Sequence, residues 1–530
     1  MNNDFRRDIL KKRAYWICLI LILCLSYLFD MTNRTVSVDD LARQLYVGDG
    51  QVMLKSTRWG VTLWTALLTS SDYSPFIDKF LAVFFFIVGS VMFSRLFYIY
   101  FSQNEYKLAL CTLFSCLYVS FPLIHEIWNY NFASFIIAAD HAIAALCILM
   151  LYHNKKIFSK VTIICSLLLS IVVSSDEGTA FVYVTVVLSI LLLDCIIFHK
   201  RNWIVSGIHF AIPLILAVFL KYLIGIGIIH LLNLEFQVNG ATEIYWKFNN
   251  GLRQQIKSLV QTTLITYFAK GFVYLPIGIF IAALGISFVS VCVVFFKQKD
   301  YIVLLIYPLL LGSLFFQSII QGVYMPYRTA QTIQYFCAFT ITMFIFGITY
   351  FNKRKLLSVC FVCAGFLCFR QAAFLNKVLA LNNQRSDNEA AIVYNIGYRL
   401  QTEFDDKTIF FAGMHDLGDN ITRQMIADKN SVGAKLFNKY LDHLGLANDR
   451  PIGLFETDIL SVINWGILAF QSQTMLAEIF SYYGFDIQTK DHITYDEFLM
   501  YSHLAEDMNM HPLDIRDVGD VILVYMGPYY

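Results

Sequence analysis

Two adjacent carboxylates follow the first apolar segment of this chain, in the run Asp39-Asp40-Leu-Ala-Arg43. Ser37, two residues before the run, and Gly48, five residues after it, are suitable helix caps. The pattern therefore predicts a short helix over 38–47 with both acids in its first turn. In such a pair one carboxylate accepts a proton from an attacking hydroxyl, while the other orients that hydroxyl or binds a metal. The run is the first candidate for a catalytic site.

The same residues also have a purely structural interpretation. Ser37 and Asp40 have the spacing of a capping box, and Asp39 and Arg43 have the spacing of an i,i+4 ion pair. Acidic residues are common in the first turn because they interact favourably with the helix dipole. Spacing alone leaves both interpretations open.

Two more acidic positions occur at short turns between apolar segments. His125 and Glu126 follow the third segment, and Asp176 and Glu177 separate the fifth from the sixth. Charge at the rim of a helical bundle is costly, which favours a functional role. Ordinary helix capping at the water interface is the alternative. We take these four residues as candidates that bind substrate or support the site.

Other charged residues stand at the level of the apolar segments. Arg58 and Arg328 could offer guanidinium groups to a lipid-linked phosphate, and contact with lipid headgroups is the alternative. Asp140 and His141 are expected to satisfy each other or to face the bundle interior. Lys221 is assigned to the opposite side of the membrane without a role.

The elements that must position these residues are membrane helices. A helix rises about 1.5 Å per residue, so about 20 apolar residues cross a hydrocarbon core of about 30 Å. Hydrophobic residues make up 57% of the chain. Together with eleven long apolar stretches, this composition predicts a polytopic α-helical membrane protein. The stretches are 14–31, 76–99, 107–124, 132–152, 159–175, 179–198, 204–232, 270–296, 301–320, 331–351 and 356–373.

Basic residues determine the predicted orientation. Lysine and arginine concentrate on alternate loops, for example 6–13, 155–160 and 353–355. The positive-inside rule places these loops in the cytoplasm together with the N-terminus, and an odd number of helices then places the C-terminus outside. The candidate acids and arginines all fall on the outer side. The net charge of +1 gives no sign of a nucleic-acid partner.

The cysteines exclude one class of outer domain. All 12 lie within apolar stretches, so neither a disulfide framework nor a thiolate metal site is expected outside the membrane.

Beyond residue 373 the composition becomes polar, which predicts a division into a membrane domain, 1–373, and a second domain, 374–530. Apolar residues have helical spacing over 385–402, and the short apolar runs 408–413 and 521–526 are typical of buried strands. A segment of this length can bury its own core. We expect a small extracytoplasmic α/β domain.

Within the first outer loop the chain resembles the type II glucosyl transferases, which are multi-spanning enzymes of bacterial O-antigen modification. The resemblance rests on Asp39-Asp40-Leu-Ala-Arg43-Gln-Leu-Tyr46, Thr57-Arg58-Trp-Gly60 and Ser74-Pro75-Phe-Ile-Asp78. These runs are similar to an acidic pair with a nearby arginine, a Gly-Arg-Pro-Leu-like element and a Ser-Pro-Leu step. The likeness covers residues 10–400 in layout and is sharp over 37–80.

The resemblance implies an inverting GT-C-type glycosyltransferase of the bacterial inner membrane. Such an enzyme would transfer a sugar, glucose in this family, from a polyprenyl-phosphate donor to O-antigen or another surface glycan. Asp40 or Asp39 would be the base, Arg58 and Arg328 would bind the donor phosphate, and Arg43 would support the site. No cofactor is required by this assignment, and a divalent metal stays open.

Two other functions stay open. A transporter or flippase of lipid-linked sugars usually carries charge near the midplane and repeated halves, and the sequence shows no repeat. A polymerase of lipid-linked polysaccharide would also act at the outer face. The acidic pair directly after the first helix favours the transferase.

Overall fold

The computed structural model describes residues 2–33, 51–69, 75–122, 127–128, 131–154, 156–199, 202–237, 256, 277–299, 301–321, 331–351, 353–404, 407–413, 473–490 and 493–527. The chain divides into two compact units at Lys377 and Val378. The predicted helix over 38–47 lies outside the described residues.

The first unit consists of helices. Its main elements are α1 (Arg13–Thr32), α2 (Trp59–Leu68), α3 (Pro75–Phe101), α4 (Lys107–Val119), α5 (Asn131–His153), α6 (Lys160–Ser175), α7 (Glu177–Phe198), α8 (Trp203–Leu231), α9 (Ile277–Gln298), α10 (Tyr301–Ser313), α11 (Gln331–Thr349) and the first part of α12 (Arg354–Glu403). Shorter helical segments lie at Asn2–Phe5, Arg6–Leu10, Val52–Lys55 and Phe316–Gln321.

Within the described part of the chain, eight helices are long and apolar enough to cross a membrane. They are α1, α3, α5, α7, α8, α9, α11 and the Arg354–Ala380 part of α12. The predicted polytopic helical class is thereby confirmed. The other three predicted segments form α4, α6 and α10, with 13, 16 and 13 residues. Crossing by these shorter helices, and the total of eleven, stay predictions.

The described residues include an apolar helix that the sequence did not predict. The composition of 32–75 indicates a polar loop, whereas α2 occupies Trp59–Leu68 in it. Its ten residues are too few to be recognised as a membrane span. The helix buries Trp59, Gly60, Val61 and Thr65, and it packs against α6. Helix α6 also packs against α8, and Trp59 at the start of α2 contacts α8, so α6 and α8 both contact the start of α2.

Polar contacts join helix ends at both ends of this bundle. At one end, the last turn of α1 contacts the first turns of α3, and the residue after α6 contacts the first residue of α11. At the other end, Tyr100 and Tyr152 donate to Asp194, and Asn104 donates to Thr349. The candidate residues that the structure describes all belong to the first of these ends.

The second unit contains a three-stranded sheet. Strands β1 (Ile409–Gly413), β2 (Asp514–Asp517) and β3 (Ile522–Gly527) lie in the order β1-β3-β2. Strand β3 is parallel to β1 and antiparallel to β2. The predicted strands at 408–413 and 521–526 are therefore confirmed as β1 and β3. Every residue of these two strands is buried, as expected for strands covered on both faces.

Helices complete the core of the second unit. The end of α12, α13 (Gln473–Tyr482) and α14 (Tyr495–Asp507) supply apolar side chains to the same cluster as the strands. At the edge of β1, the Gln473 side chain accepts from the Phe411 amide at 2.9 Å and donates to its carbonyl at 2.8 Å. A side chain thus replaces a neighbouring strand at this position.

The sequence suggested separate helices at 356–373 and 385–402, but α12 is one continuous helix of 50 residues. Residues 374–384 contain neither proline nor glycine, which are the residues that most strongly end a helix. Nothing in this stretch therefore ends the helix. The domain boundary expected at 374 falls inside this helix.

Candidate functional site

Arg58 stands at the start of α2 in a close contact with α6. Thr57 before it has a left-handed backbone with φ of 59°. A side chain on Gly60 would clash with the hydroxyls of Ser174 and Ser175 at the end of α6. This approach lets Nη2 of Arg58 donate to the Ser175 carbonyl at 2.6 Å. Nε of Arg58 is buried and has no hydrogen-bond partner in the described part of the chain.

Helix α8 packs against the other side of the same turn. Nε1 of Trp59 donates to the Lys221 carbonyl at 3.2 Å. One turn further along α8, a Cβ on Gly225 would lie only 2.7 Å from Cβ of Thr57. Both contacts fix Arg58 between α6 and α8, because its two chain neighbours are held by α8.

Asp176 joins α6 to α7 and caps α7. Its Oδ1 accepts from the Thr179 amide at 3.2 Å and from Nε2 of Gln331 at 3.0 Å. Burial raises the pKa of Asp176, and the nearby positive charge of Arg58 acts in the opposite direction. Asp176 therefore links the start of α7, the start of α11 and the Arg58 turn.

Glu177 forms an ion pair with Lys221. Nζ of Lys221 lies 2.6 Å from Oε1 of Glu177, and the Lys221 side chain is only 2% exposed. Arg58 also interacts electrostatically with Glu177. The site thus combines two cations with two carboxylates at the junction of α2, α6, α7 and α8.

Gln331 connects this cluster to the interior of the bundle. Its Nε2 donates to Asp176, and its Oε1 accepts from the Thr179 hydroxyl at 2.9 Å and from Nε2 of His141 at 2.7 Å. Since Oε1 can only accept, His141 carries its proton on Nε2. Nδ1 of His141 then accepts from the Tyr118 hydroxyl. A continuous chain of hydrogen bonds runs from the half-buried Asp176 to the buried Tyr118.

Asp140 and His141 do not pair with each other, contrary to one of the two expectations for them. Oδ1 of Asp140 accepts from Nε1 of Trp64 on α2 at 3.1 Å, whereas His141 bonds to Gln331 and Tyr118. Both residues are buried in the bundle. Neighbouring residues on a helix point about 100° apart, so a mutual contact is disfavoured by geometry.

The structure brings together three of the predicted site residues, namely Arg58, Asp176 and Glu177. The other six lie outside the described residues: Asp39, Asp40, Arg43, His125, Glu126 and Arg328. Among described residues, no group of three or more His, Cys, Asp or Glu side chains is arranged to hold a metal ion.

Two members of the cluster were not predicted as site residues. The expected position of Lys221 on the opposite side of the membrane is wrong, because it contacts Glu177 and the Arg58 turn. A charge inside an apolar segment was the available signal for it. Gln331 opens an apolar stretch and resembles an ordinary interfacial residue, so no local signal distinguished it.

Fold and site define a polytopic helical membrane protein with a partly buried charged cluster at one end of its bundle. The glucosyl transferase GtrII family matches residues 28–346, which is more than half of the chain, so the chain belongs to this family. The matched region includes Arg58, Asp176, Glu177, Lys221 and Gln331. The protein is accordingly a glycosyltransferase of the membrane. Neither the curated proteins nor the solved structures include a match to the chain.

Proposed function

We propose that the protein transfers glucose from a polyprenyl-phosphate donor to O-antigen or another cell-surface glycan. The reaction would take place at the outer face of the bacterial inner membrane. The observation that carries the proposal is the cluster of Arg58, Asp176, Glu177 and Lys221, held at one end of the bundle within the region matched by the family. The acidic pair Asp39-Asp40 precedes this cluster in the same region.

In the proposed mechanism, Asp40 or Asp39 takes the proton of the acceptor hydroxyl as its oxygen attacks the anomeric carbon. The bond to the donor phosphate breaks on the opposite face, and the anomeric configuration is inverted. His125, Glu126 and Arg43 would position the acceptor or the acid pair. A divalent metal stays an open addition to this scheme.

Arg58 and Arg328 are proposed to stabilise the departing polyprenyl phosphate. Arg58 suits this role because the Ser175 carbonyl fixes its guanidinium through Nη2, whereas its Nε has no hydrogen-bond partner in the described residues. Guanidinium groups bind phosphate oxygens through charge-assisted hydrogen bonds. Since Lys221 neutralises Glu177, less negative charge opposes a phosphate near Arg58.

The proposed topology follows from the basic loops. About eleven crossings with a cytoplasmic N-terminus place the acid pair, the Arg58 cluster and residues 374–530 on the outer side. The extracytoplasmic unit would then present the acceptor glycan. Its apolar strands form core, which gives them no part in the chemistry.

The direct test supplies radiolabelled polyprenyl-phosphate glucose to membranes that contain the protein and an acceptor glycan. We expect label in the glycan, with inverted anomeric configuration, and a loss of about 100-fold for Arg58→Ala. Arg370→Ala is the matched control, because Arg370 is an exposed arginine on α12, and it should retain transfer. Movement of the labelled lipid across the membrane without a new glycosidic bond would support a flippase and contradict the proposal.

A further inference from the structure

Asp140 is a buried carboxylate in the apolar helix α5 that has no part in the proposed mechanism. Its side chain is completely buried. An ionisable group inside a membrane helix is costly, and such residues usually serve a function together with a specific partner. Among the described residues, Trp64 of α2 supplies this partner, because its Nε1 donates to Oδ1 of Asp140 at 3.1 Å. Both residues belong to the first unit.

Helix α2 depends on its neighbours for its position. It has ten residues, and isolated helices shorter than about 12 residues are barely stable in water. Its last turn makes little contact with the bundle, since Leu67 is 66% exposed and Leu68 is 37% exposed. The contacts therefore come from its earlier residues: Arg58 and Trp59 bind α6 and α8 at the start, and Trp64 binds α5 further along.

The Trp64 ring is held from two sides. It packs edge to face against Phe85 of α3, with ring centroids 5.9 Å apart, while its nitrogen donates to Asp140. The apolar contact is non-directional, whereas the hydrogen bond fixes the orientation of the indole. Asp140 therefore determines how the later part of α2 lies against α3 and α5.

Asp140 is also connected to the contact that holds Arg58. Its carboxylate interacts with the Ser175 side chain and, electrostatically, with Arg58. The Ser175 carbonyl accepts the hydrogen bond from Nη2 of Arg58. Two routes thus lead from Asp140 to Arg58, one through Ser175 at the end of α6 and one through Trp64 along α2.

We propose that Asp140 is a positioning residue for Arg58, which fixes α2 through Trp64 and so holds the guanidinium where the donor phosphate binds. The inference rests on the proposed function, since it takes Arg58 as the group that binds this phosphate. Asp140 does not touch substrate in this scheme and acts through α2. Displacement of such a group by about 1 Å can lower turnover by about 100-fold.

The first test compares transfer by Trp64→Phe, Asp140→Leu and Asp140→Asn at equal protein amounts. The first two changes remove one partner of the hydrogen bond, so we expect kcat over the donor KM to fall at least about 10-fold with the acceptor KM within about twofold. Asp140→Asn keeps an oxygen acceptor for the indole and should retain most of the transfer. A loss in Asp140→Asn as large as in Asp140→Leu would contradict the inference, because the charge and not the hydrogen bond would then matter.

Trp16→Phe is the matched control. Nε1 of Trp16 donates to the Leu10 carbonyl at 2.8 Å before the start of α1, so this variant loses the same kind of hydrogen bond away from α2. It should retain wild-type transfer. If Asp140→Leu does not fold, Trp64→Phe decides the test, and wild-type transfer in folded Trp64→Phe would overturn the inference.

A second readout does not depend on transfer. Hydrogen exchange of residues 59–68, measured by mass spectrometry on the full-length protein in detergent, should be faster in Trp64→Phe than in wild type. It should be unchanged in Asp140→Asn and Trp16→Phe. Unchanged exchange in Trp64→Phe would overturn the inference, even if the enzyme transfers glucose. Faster exchange in Trp64→Phe, when the wild-type protein does not use polyprenyl-phosphate glucose, would uphold the positioning of α2 and refute only the proposed function.

Discussion

Lys221, in the interior of α8, places its Nζ 2.6 Å from Oε1 of Glu177 in the first turn of α7. The same lysine accepts a hydrogen bond from Trp59 through its carbonyl, so α8 is joined to both α7 and the Arg58 turn. An ammonium group within an apolar helix is therefore paired, and its charge is balanced at the site. Helices α7 and α8 are thus joined by an ion pair that nothing in the local sequence of either segment indicates.

The first prediction concerns this ion pair. Lys221→Met leaves Glu177 without its counter-ion and should destabilise the protein by about 3 kcal/mol, because a buried charge without its partner is costly. The double variant Lys221→Met/Glu177→Gln should recover most of that loss. Thermal unfolding of the purified protein in detergent measures both. Equal destabilisation by the single and the double variant would show that the two residues do not act as a pair.

The second prediction concerns Gln331. Gln331→Leu removes the hydrogen bonds to Asp176, Thr179 and His141 and should lower transfer by about 10- to 100-fold, because Asp176 loses its orientation. Gln334→Leu is the matched control one turn along the same helix, where the amide binds the Tyr118 carbonyl at 2.7 Å. The measurement is transfer at equal protein amounts. A similar loss in both variants would indicate general damage to α11.

A third prediction follows from the pKa of Asp8, outside the membrane-spanning helices. Hydrogen bonds from Lys107, Tyr98 and Arg7 hold this pKa well below its usual range. The pKa of Asp8 is lower in the folded protein than in the unfolded chain, so the charged form of Asp8 stabilises the fold. This stability is fully present above the unfolded-chain pKa of about 4, and it is lost as the pH falls towards the pKa in the folded protein. Asp8→Asn should therefore cost about 1 kcal/mol near pH 7, and less as the pH falls below about 4.

Unfolding midpoints of wild type and Asp8→Asn across this pH range provide the check. Asp507→Asn changes an exposed carboxylate in the second unit and serves as the control. A difference between wild type and Asp8→Asn that is the same at pH 3 and pH 7 would contradict the role assigned to the charged form.

The fourth prediction tests topology. Alkaline phosphatase fused after residue 404, beyond the end of α12, should be active because that point is expected outside the membrane. A phosphatase fusion at Lys353, before α12, should be inactive, whereas a reporter that is active only in the cytoplasm should be active when it is fused there. The reverse pattern would move the Arg58 cluster to the cytoplasmic face and remove access to an outer-leaflet donor.

Local sequence patterns predicted much of this fold. Apolar length identified the spanning helices, and short apolar runs ended by glycine identified β1 and β3. The same criteria missed α2, because ten apolar residues are below the length of a span. They also divided α12 at a change of composition, although composition alone does not end a helix.

The sequence allowed us to predict some of the charged residues that belong to the site, but not which residues they contact. Charge between apolar segments is the signal in the sequence that indicates Arg58, Asp176 and Glu177. Their partners Lys221 and Gln331 come from distant parts of the chain, 44 positions from Glu177 and 155 from Asp176. Hydropathy and spacing describe one segment at a time, so they carry no information on which segments pack together.

An acid of the first outer segment is proposed as the catalytic base, and its substitution by asparagine tests this role most directly. Asparagine preserves size and much of the capping ability at a helix N-terminus. If Asp40 only caps a helix, the change should cost at most about 1 kcal/mol of local stability and leave transfer almost unchanged. If it is the base, transfer should fall by about 100-fold or more while the protein inserts normally.

The measurement is glucose transfer from polyprenyl-phosphate glucose to glycan, in membranes that carry Asp40→Asn, Asp39→Asn or both changes at matched protein levels. We predict a loss of at least about 100-fold in one of the single variants and in the double variant. Retention of wild-type transfer in both single variants and in the double variant would contradict the mechanism.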